Sequence, residues 1–315
     1  MSNDHAGVSD GSGFVSGFVA LLGRPNVGKS SLCNALVGEK VAITSPAPQT
    51  TRHRIAAVQH LPGAQIVWLD TPGLHRPRHL LGRSMVRAAA GALAGADVAC
   101  LVVDGGCAAP GEGDRRAAWQ VSQAVCPRLL VMNKVDLVPA GALPERLMAY
   151  AALSPRRAPF DEMLAVSAVT GAGCVGLADA VRRRLPLGPA YFPEDVTTDR
   201  PEQFLCAELV REQALLLLRQ EVPHAVAVTV DEWRERDAGP LFIGATLYVE
   251  RDSQKGIVIG RGGSMLRAIG QAARLEIERR LGTPVYLDIR VRVRAAWRDR
   301  PGSLETLGLG DQGLR

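Results

Sequence analysis

The sequence predicts an α/β fold, a doubly wound and mostly parallel sheet, followed by a smaller α+β unit. Three observations carry this. Continuous apolar runs alternate with helical segments as far as residue 185, the pattern of strands buried on both faces between covering helices. The first of these runs leads into a glycine-rich loop, Gly23-Arg24-Pro25-Asn26-Val27-Gly28-Lys29-Ser30, and a helical segment follows. Past Pro186, Pro189, Pro193 and Pro201 the order changes to helix, strand, strand, helix, helix, strand.

Residues 1–13 are polar and glycine-rich, and their composition predicts disorder. The first strand is the run 18–22, and 31–36 has helical character. Segments 54–58 and 64–69 are candidate strands across a turn at Pro62-Gly63. The apolar runs 98–103 and 128–132 suit strands buried on both faces, and 163–166 supplies a shorter one. Segments 80–94, 113–125 and 173–185 read as helices. In the second part, 202–220 and 267–281 are helical, while 225–230, 242–249 and 285–293 alternate as strands. The expected bounds are 14–185 and 201–300, with a linker over 186–200 and a tail over 301–315.

Composition narrows the class. A hydrophobic content of 47% with 22% charged residues suits a globular protein of 315 residues with two cores. A net charge of +5 mildly favours a polyanionic partner. Of 37 basic residues only four are lysines: Lys29, Lys40, Lys134 and Lys255. A retained lysine therefore hints at a site wanting a compact ammonium. Lys40 lies in no motif and reads as a solvated surface residue. Six cysteines without a CxxC pair argue against a metal centre and suit a reducing compartment. No signal-peptide pattern or membrane-length run is present, which predicts a cytoplasmic protein.

The loop fits G-x-x-x-x-G-K-[ST]. Its glycines let successive amides turn toward phosphate oxygens, the helix start adds its positive end, and Lys29 neutralises phosphate charge. Ser30 offers a hydroxyl to Mg²⁺, and Ser31 is the last candidate contact. Asp70-Thr71-Pro72-Gly73 follows a strand, where an Asp reaches Mg²⁺ through water and the Gly73 amide meets a γ-phosphate, with Leu74 next in line. Asn133-Lys134-Val135-Asp136 follows another strand; the Asp136 carboxylate can accept two N–H bonds from guanine, which adenine does not offer. After the strand ending at Val166, a backbone amide at Ser167-Ala168 can donate to guanine O6. Each piece alone has a bland reading as a turn or a helix start. Their order and their shared place after a strand, where such sheets bind ligands, point to a GTP/GDP site.

On these motifs residues 18–185 resemble the translation-factor-related GTPases. In such proteins the segment 45–52, Ser-Pro-Ala-Pro-Gln-Thr-Thr-Arg, is a switch whose threonine ligates Mg²⁺. The residues leave Thr50 and Thr51 both open; the family pattern, in which Thr-Arg closes the motif, favours Thr51. Leu74 stands where Ras-like enzymes carry a water-orienting Gln. Asn26 resembles the asparagine that helps hold a monovalent cation in related bacterial GTPases. The resemblance thus implies slow, K⁺-assisted hydrolysis relying on Asn26, Lys29, Thr51 and Gly73.

In the second part Gly260-Arg261-Gly262-Gly263 carries G-x-x-G between two helices, in the element order of a type II KH domain, whose loop clamps single-stranded nucleic acid. Residues 251–300 hold 12 basic and 5 acidic residues, while 194–250 hold 5 and 12. A merely solvated basic helix would show the same count. Arg251, Lys255, Arg261 and Arg267 suit phosphates, and Ile257 and Val258 could pack against bases. Arg290, Arg292 and Arg294 share one strand face of undetermined role. Trp297 reads equally as a stacking platform or as an anchor for the tail.

The ordered set PNVGKS, QTTRHR, DTPGLH, NKVD and IGRGG is similar to the Era family of bacterial ribosome-assembly GTPases, over residues 15–300. That resemblance implies a P-loop GTPase domain followed by a type II KH domain. It further implies binding of 16S ribosomal RNA near its 3′ end, a role in 30S subunit biogenesis, a monomer, and peripheral contact with the cell membrane. Ala47 stands where many relatives carry Lys, and Arg replaces Lys at 76, 78 and 261. Two other readings stay open: an RNA-binding structural protein with a non-catalytic nucleotide site, and a tRNA-modification-type GTPase.

Overall fold

The computed structural model describes residues 13–310, apart from 75, 78, 156–157 and 236–238. The stretch expected to be disordered lies, save residue 13, outside the described residues, as do 311–315.

The first part alternates β1 (Val15–Leu22), α1 (Lys29–Val37), β2 (Ile55–Leu61), β3 (Ala64–Asp70), α2 (Leu80–Ala94), β4 (Val98–Asp104), α3 (Glu112–Val121), β5 (Arg128–Asn133), α4 (Leu143–Ala151), β6 (Glu162–Ala165) and α5 (Cys174–Arg182). The sheet order is β2-β3-β1-β4-β5-β6; β2 runs antiparallel to β3 and every other pair is parallel. Every residue of β3 and β4 is buried, as continuous apolar runs require when helices cover both faces. Leu32, Cys33 and Leu36 of α1 pack with Leu177 and Val181 of α5 on one face. Ala89 and Leu93 of α2, Val121 of α3 and Tyr150 of α4 cover the other. Helix α4 escapes sequence reading because Tyr150 is its one buried residue, too little apolar periodicity to mark a helix.

The segment expected to be a linker lies as a strap on the first sheet. Gln65 Oε1 accepts the amides of Tyr191 (2.7 Å) and Phe192 (3.0 Å), and the Val58 amide donates to Thr197 O at 2.8 Å. Its prolines keep it extended, so it satisfies the β2 edge rather than looping free.

The second part contains α6 (Glu202–Leu217), β7 (Ala227–Arg234), β8 (Leu241–Val249), α7 (Asp252–Ile259), α8 (Ser264–Leu281), β9 (Val285–Val293) and α9 (Pro301–Thr306). The sheet order is β7-β8-β9, antiparallel then parallel. Strand β7 runs past the expected end at 230 because a bulge between Val230 and Glu232 carries it into polar residues that still pair with β8. The tail is no appendage: Trp297, Leu304, Leu307 and Leu309 form a core cluster with Leu81 and Met85 of α2. Trp297 is fully buried and donates its Nε1–H to Ala225 O at 2.9 Å, so it is an anchor and not a stacking platform. Asp299 accepts the Leu80 amide at 3.0 Å, capping α2 from the far end of the chain.

One consequence of this docking is a pH dependence. His53 lies edge-on to Phe204 of α6 at 5.0 Å, and burial, abetted by Arg200, Arg211 and Arg52 against an opposing pull from Glu208, pushes its pKa down to about 4. The unfolded chain binds a proton near pH 6.5 that the folded chain refuses until about 4. Stability is therefore full above pH 6.5 and declines as pH falls toward 4, by up to roughly 3 kcal/mol from this residue. Thermal unfolding of the chain and of His53→Gln between pH 7 and 5 checks this; parallel curves would rule it out.

Candidate nucleotide site and nucleic-acid groove

At the carboxyl end of β1 the chain turns sharply. Gly28 adopts φ 91°, and a Cβ there would lie 2.4 Å from Asn133 Nδ2, so this position takes only glycine. Val27 is buried in the core beneath the loop. Arg24 points away from the loop's mouth, its Nε 3.2 Å from Asp114 Oδ1 of α3, leaving its backbone to the site. Lys29 is buried and donates to Gly23 O (3.3 Å) and Arg24 O (3.1 Å), which holds the ammonium across the loop. Burial pushes its pKa down to about 8 against the pull of Asp70.

Three oxygens converge beside it. Ser30 Oγ lies 2.8 Å from Thr51 Oγ1 and donates to Asp70 Oδ2 at 2.6 Å; Thr51 Oγ1 is 3.3 Å from the same oxygen. The other Asp70 oxygen, Oδ1, is buried with no partner among the described residues. Burial raises the Asp70 pKa, while the Ser30 bond and Lys29 oppose the rise. Two hydroxyls and one under-satisfied carboxylate suit a small hard cation that keeps several waters, as Mg²⁺ does. Thr50 is differently engaged: its Oγ1 donates to Ala47 O at 2.7 Å and lies 2.7 Å from Ser45 Oγ. Thr71 Oγ1 donates to Leu21 O at 2.7 Å, tying the Asp70–Gly73 turn to β1. Gly73 packs against Pro25, where a Cβ would meet backbone at 2.7 Å. Pro72 continues the same buried turn. Leu74 is buried in the core and its amide donates to Gly23 O at 3.0 Å, so its side chain cannot reach an attacking water. A cavity of about 60 Å³ opens here, lined by Pro25, Asn26, Lys29, Ser30, Ser31 and Thr51 among others.

The base side lies at the ends of β5 and β6. Asn133 Nδ2 donates to Val27 O at 3.0 Å, and Lys134, at φ 62°, donates to Asn26 O and to Asp104 Oδ2, both at 2.7 Å. Val135 packs below while Asp136 is exposed, its Oδ1 accepting from Ser167 Oγ at 2.5 Å. Neither amide expected for guanine O6 is a spare donor. The Ser167 amide donates to Ala172 O at 2.8 Å and the Ala168 amide to Asn133 Oδ1 at 3.0 Å, so a base would have to share the latter. Asn26, at φ 64°, donates its Nδ2 to Pro46 O at 2.8 Å. Sequence reading missed Asp104, which anchors Lys134; the signal was an acidic residue closing an apolar strand in register with Asn133.

The second site is the G-x-x-G turn between α7 and α8. Gly260 has φ 73° and ψ 171°, and a Cβ would sit 2.8 Å from Met265 N, so its backbone is reserved for glycine. Arg251, Arg261, Arg267 and Ile257 are exposed, Lys255 half-buried, and Gly262 and Gly263 complete the turn. Val258 is fully buried in the core and cannot pack against a base, because α7 turns that face onto β8 and β9. A groove of about 390 Å³ runs from Gly263 along α8 to β9, lined by Leu266, Arg267, Gly270, Arg274, Leu287 and Ile289. Arg290 and Arg292 occupy the opposite face of β9 from Leu287 and Ile289, and so face away from it; Arg294 follows the end of the strand. The expected Gly260→Ala result is a chain that folds but binds single-stranded RNA at least ten-fold more weakly, because the strained turn reopens; a gel-shift titration measures it.

A phosphate loop, a hydroxyl–carboxylate metal set and an NKxD base loop at one sheet end, joined to a G-x-x-G groove, define a P-loop GTPase carrying a KH module. Family models agree, matching residues 18–134 to the 50S ribosome-binding GTPases and 221–298 to the KH domain. The chain belongs to the Era family of GTPases: it is 49% identical over 296 residues to the GTPase Era of Geobacter metallireducens, covering 94% of this chain and 98% of that one. Among solved structures it resembles Era in complex with MgGDPNP and nucleotides 1506–1542 of 16S ribosomal RNA, with 38% identity, a TM-score of 0.89, and 94% and 99% of the two chains covered. It is similar too to an Aquifex aeolicus Era variant bound to GDP·AlF4−, with 38% identity, a TM-score of 0.87, and coverage of 94% and 100%.

Proposed function

We propose that this chain is a GTP-hydrolysing switch that binds 16S ribosomal RNA near its 3′ end and assists assembly of the 30S subunit. The observation that carries this is the pairing, on one chain, of a phosphate-loop cavity and an NKxD loop at one sheet end with a G-x-x-G groove lined by Arg267 and Arg274, in a fold matching a relative bound to that RNA. Lys29 and the amides of Asn26 to Ser31 hold the β and γ phosphates, and Gly73 meets the γ-phosphate. Ser30, Thr51 and Asp70 hold Mg²⁺, which supplies charge neutralisation on the phosphates when bound. Asp136 accepts from the guanine N1 and amino groups. With Leu74 in the core, water is oriented from elsewhere, and Asn26 is the candidate to hold a K⁺ beside the phosphates. Rates in KCl that equal those in NaCl, and that Asn26→Ala leaves unchanged, would dismiss that cation role.

Arg267 in the groove, with Lys255, Arg251 and Arg261 on α7 and the turn beside it, meets phosphates while Ile257 lies beside a base. The chain works in the cytoplasm with at most peripheral membrane contact; no described helix is long and apolar enough to cross a bilayer. The test is binding of an oligonucleotide from the 16S 3′ end to the full chain, with GTP turnover measured in parallel. Multiple turnover with micromolar or tighter binding that weakens at least ten-fold in Lys255→Ala with Arg261→Ala supports the reading. Turnover without RNA binding would leave a GTPase of another purpose, and binding without turnover a structural RNA-binding protein.

A further inference from the structure

Helix α6 reads in the sequence as an apolar helix of the second part, yet three of its charged residues, Glu208, Arg211 and Glu212, are at most 8% exposed. Their i, i+3, i+4 spacing places them on one face, turned toward the segment between α1 and β2. Arg211 Nη2 donates to Thr50 O at 2.5 Å, and its Nε donates to Glu208 Oε1 at 2.7 Å. Glu212 accepts the Thr44 amide at 2.8 Å and Lys40 Nζ at 2.6 Å, so Lys40 is an anchor rather than a solvated surface residue. On the other side of Thr51, Arg52 donates to Val226 O at 2.6 Å and to His224 O at 3.2 Å, and lies 5.5 Å over the Trp297 ring. Ile43 is buried in the second part's own core cluster.

Thr51 is thus the one residue between two grips, both supplied by the second part, and its hydroxyl is the group that reaches Ser30 and Asp70. Stability alone does not call for this chemistry. A buried ion pair costs much of what it returns, and an apolar residue of similar volume would pack α6 about as well. What the Arg211 fork adds is direction: it fixes one carbonyl, and with it the register of the residue that follows.

We infer that Arg211, braced by Glu208, is a positioning residue for the nucleotide site, holding Thr50 so that the Thr51 hydroxyl is presented to the metal beside Ser30 and Asp70. This rests on the reading of Thr51 as a Mg²⁺ ligand. It makes the second domain part of the apparatus that distinguishes GTP from GDP, and by reciprocity a loss of the grip weakens the response of the groove to nucleotide.

The experiment is titration of the full chain with fluorescent GDP and a non-hydrolysable GTP analogue, with and without Mg²⁺. Arg211→Ala is the direct variant. Glu208→Leu with Arg211→Met is the partner variant that keeps α6 packed while removing the fork. The expected result is a loss of ten-fold or more in Mg²⁺-dependent affinity for the analogue, with GDP affinity within two-fold of the unaltered chain. Equal changes for both nucleotides, or none, would overturn the inference. Thr51→Ala separates the two layers: if it too leaves the ratio unchanged, the metal reading fails; if it lowers the ratio while the Arg211 variants do not, only the positioning role fails. In the unaltered chain the Mg²⁺-bound analogue must also slow amide exchange across residues 44–52 relative to GDP, and equal exchange counts against the inference.

Discussion

Replacing Asp136 with Asn is expected to weaken GDP and GTP binding by roughly two to three orders of magnitude without loss of the fold. Two charge-assisted hydrogen bonds to guanine are at stake, each worth about 1.5–3 kcal/mol. Asp136 is exposed, and Asn keeps the oxygen that accepts from Ser167, so the loop itself survives. The same substitution should raise the affinity for xanthine nucleotides, because the Asn amide can donate where xanthine presents a carbonyl in place of the guanine amino group. Titration with guanosine and xanthosine diphosphates measures both changes. Parallel losses for the two bases would mean that Asp136 serves the loop and not the base.

Lys29→Ala is expected to cost phosphate binding and turnover together, with the hydrolysis rate falling about 10²–10³-fold on the scale of a lost transition-state donor. The ammonium sits buried with a pKa of about 8, so near that pH part of the nucleotide-free population is neutral. Bound phosphates favour the charged form and raise this pKa. Binding therefore takes up protons around pH 8, and affinity is greatest below that value and falls as pH rises through it. Calorimetry in two buffers of different ionisation enthalpy between pH 7 and 8.5 detects the uptake. Lys29→Ala should abolish it, and uptake that survives the substitution would assign the proton to another group.

Much of the nucleotide site is legible in the chain because its parts are contiguous. A loop that must turn amides inward writes its own requirement at Gly28, and a strand buried on both faces writes its burial from 98 to 103. The G-x-x-G turn is legible for the same reason, since Gly260 holds a backbone conformation that other residues resist. What could not be read lies in pairings across large sequence separations. Nothing near Val258 says that its face of α7 is turned inward, nothing near Trp297 says that Ala225 awaits its indole, and the amide of Ala168 is committed by a residue 35 positions away. The prolines of 186–201 announce an extended segment but not the Gln65 side chain that binds it.

Residues 40–52 show where the two kinds of information divide. The residues alone place a polar, threonine-bearing segment between the phosphate loop and β2 and leave Thr50 and Thr51 as rivals. Which hydroxyl faces Ser30 and Asp70 is set by long-range packing, through Arg211 and Arg52. Local propensity can specify a turn or a strand because its partners are neighbours in the chain. The direction of one hydroxyl depends on a guanidinium 161 residues away, and only the docking of the second domain brings that charge to the Thr50 carbonyl.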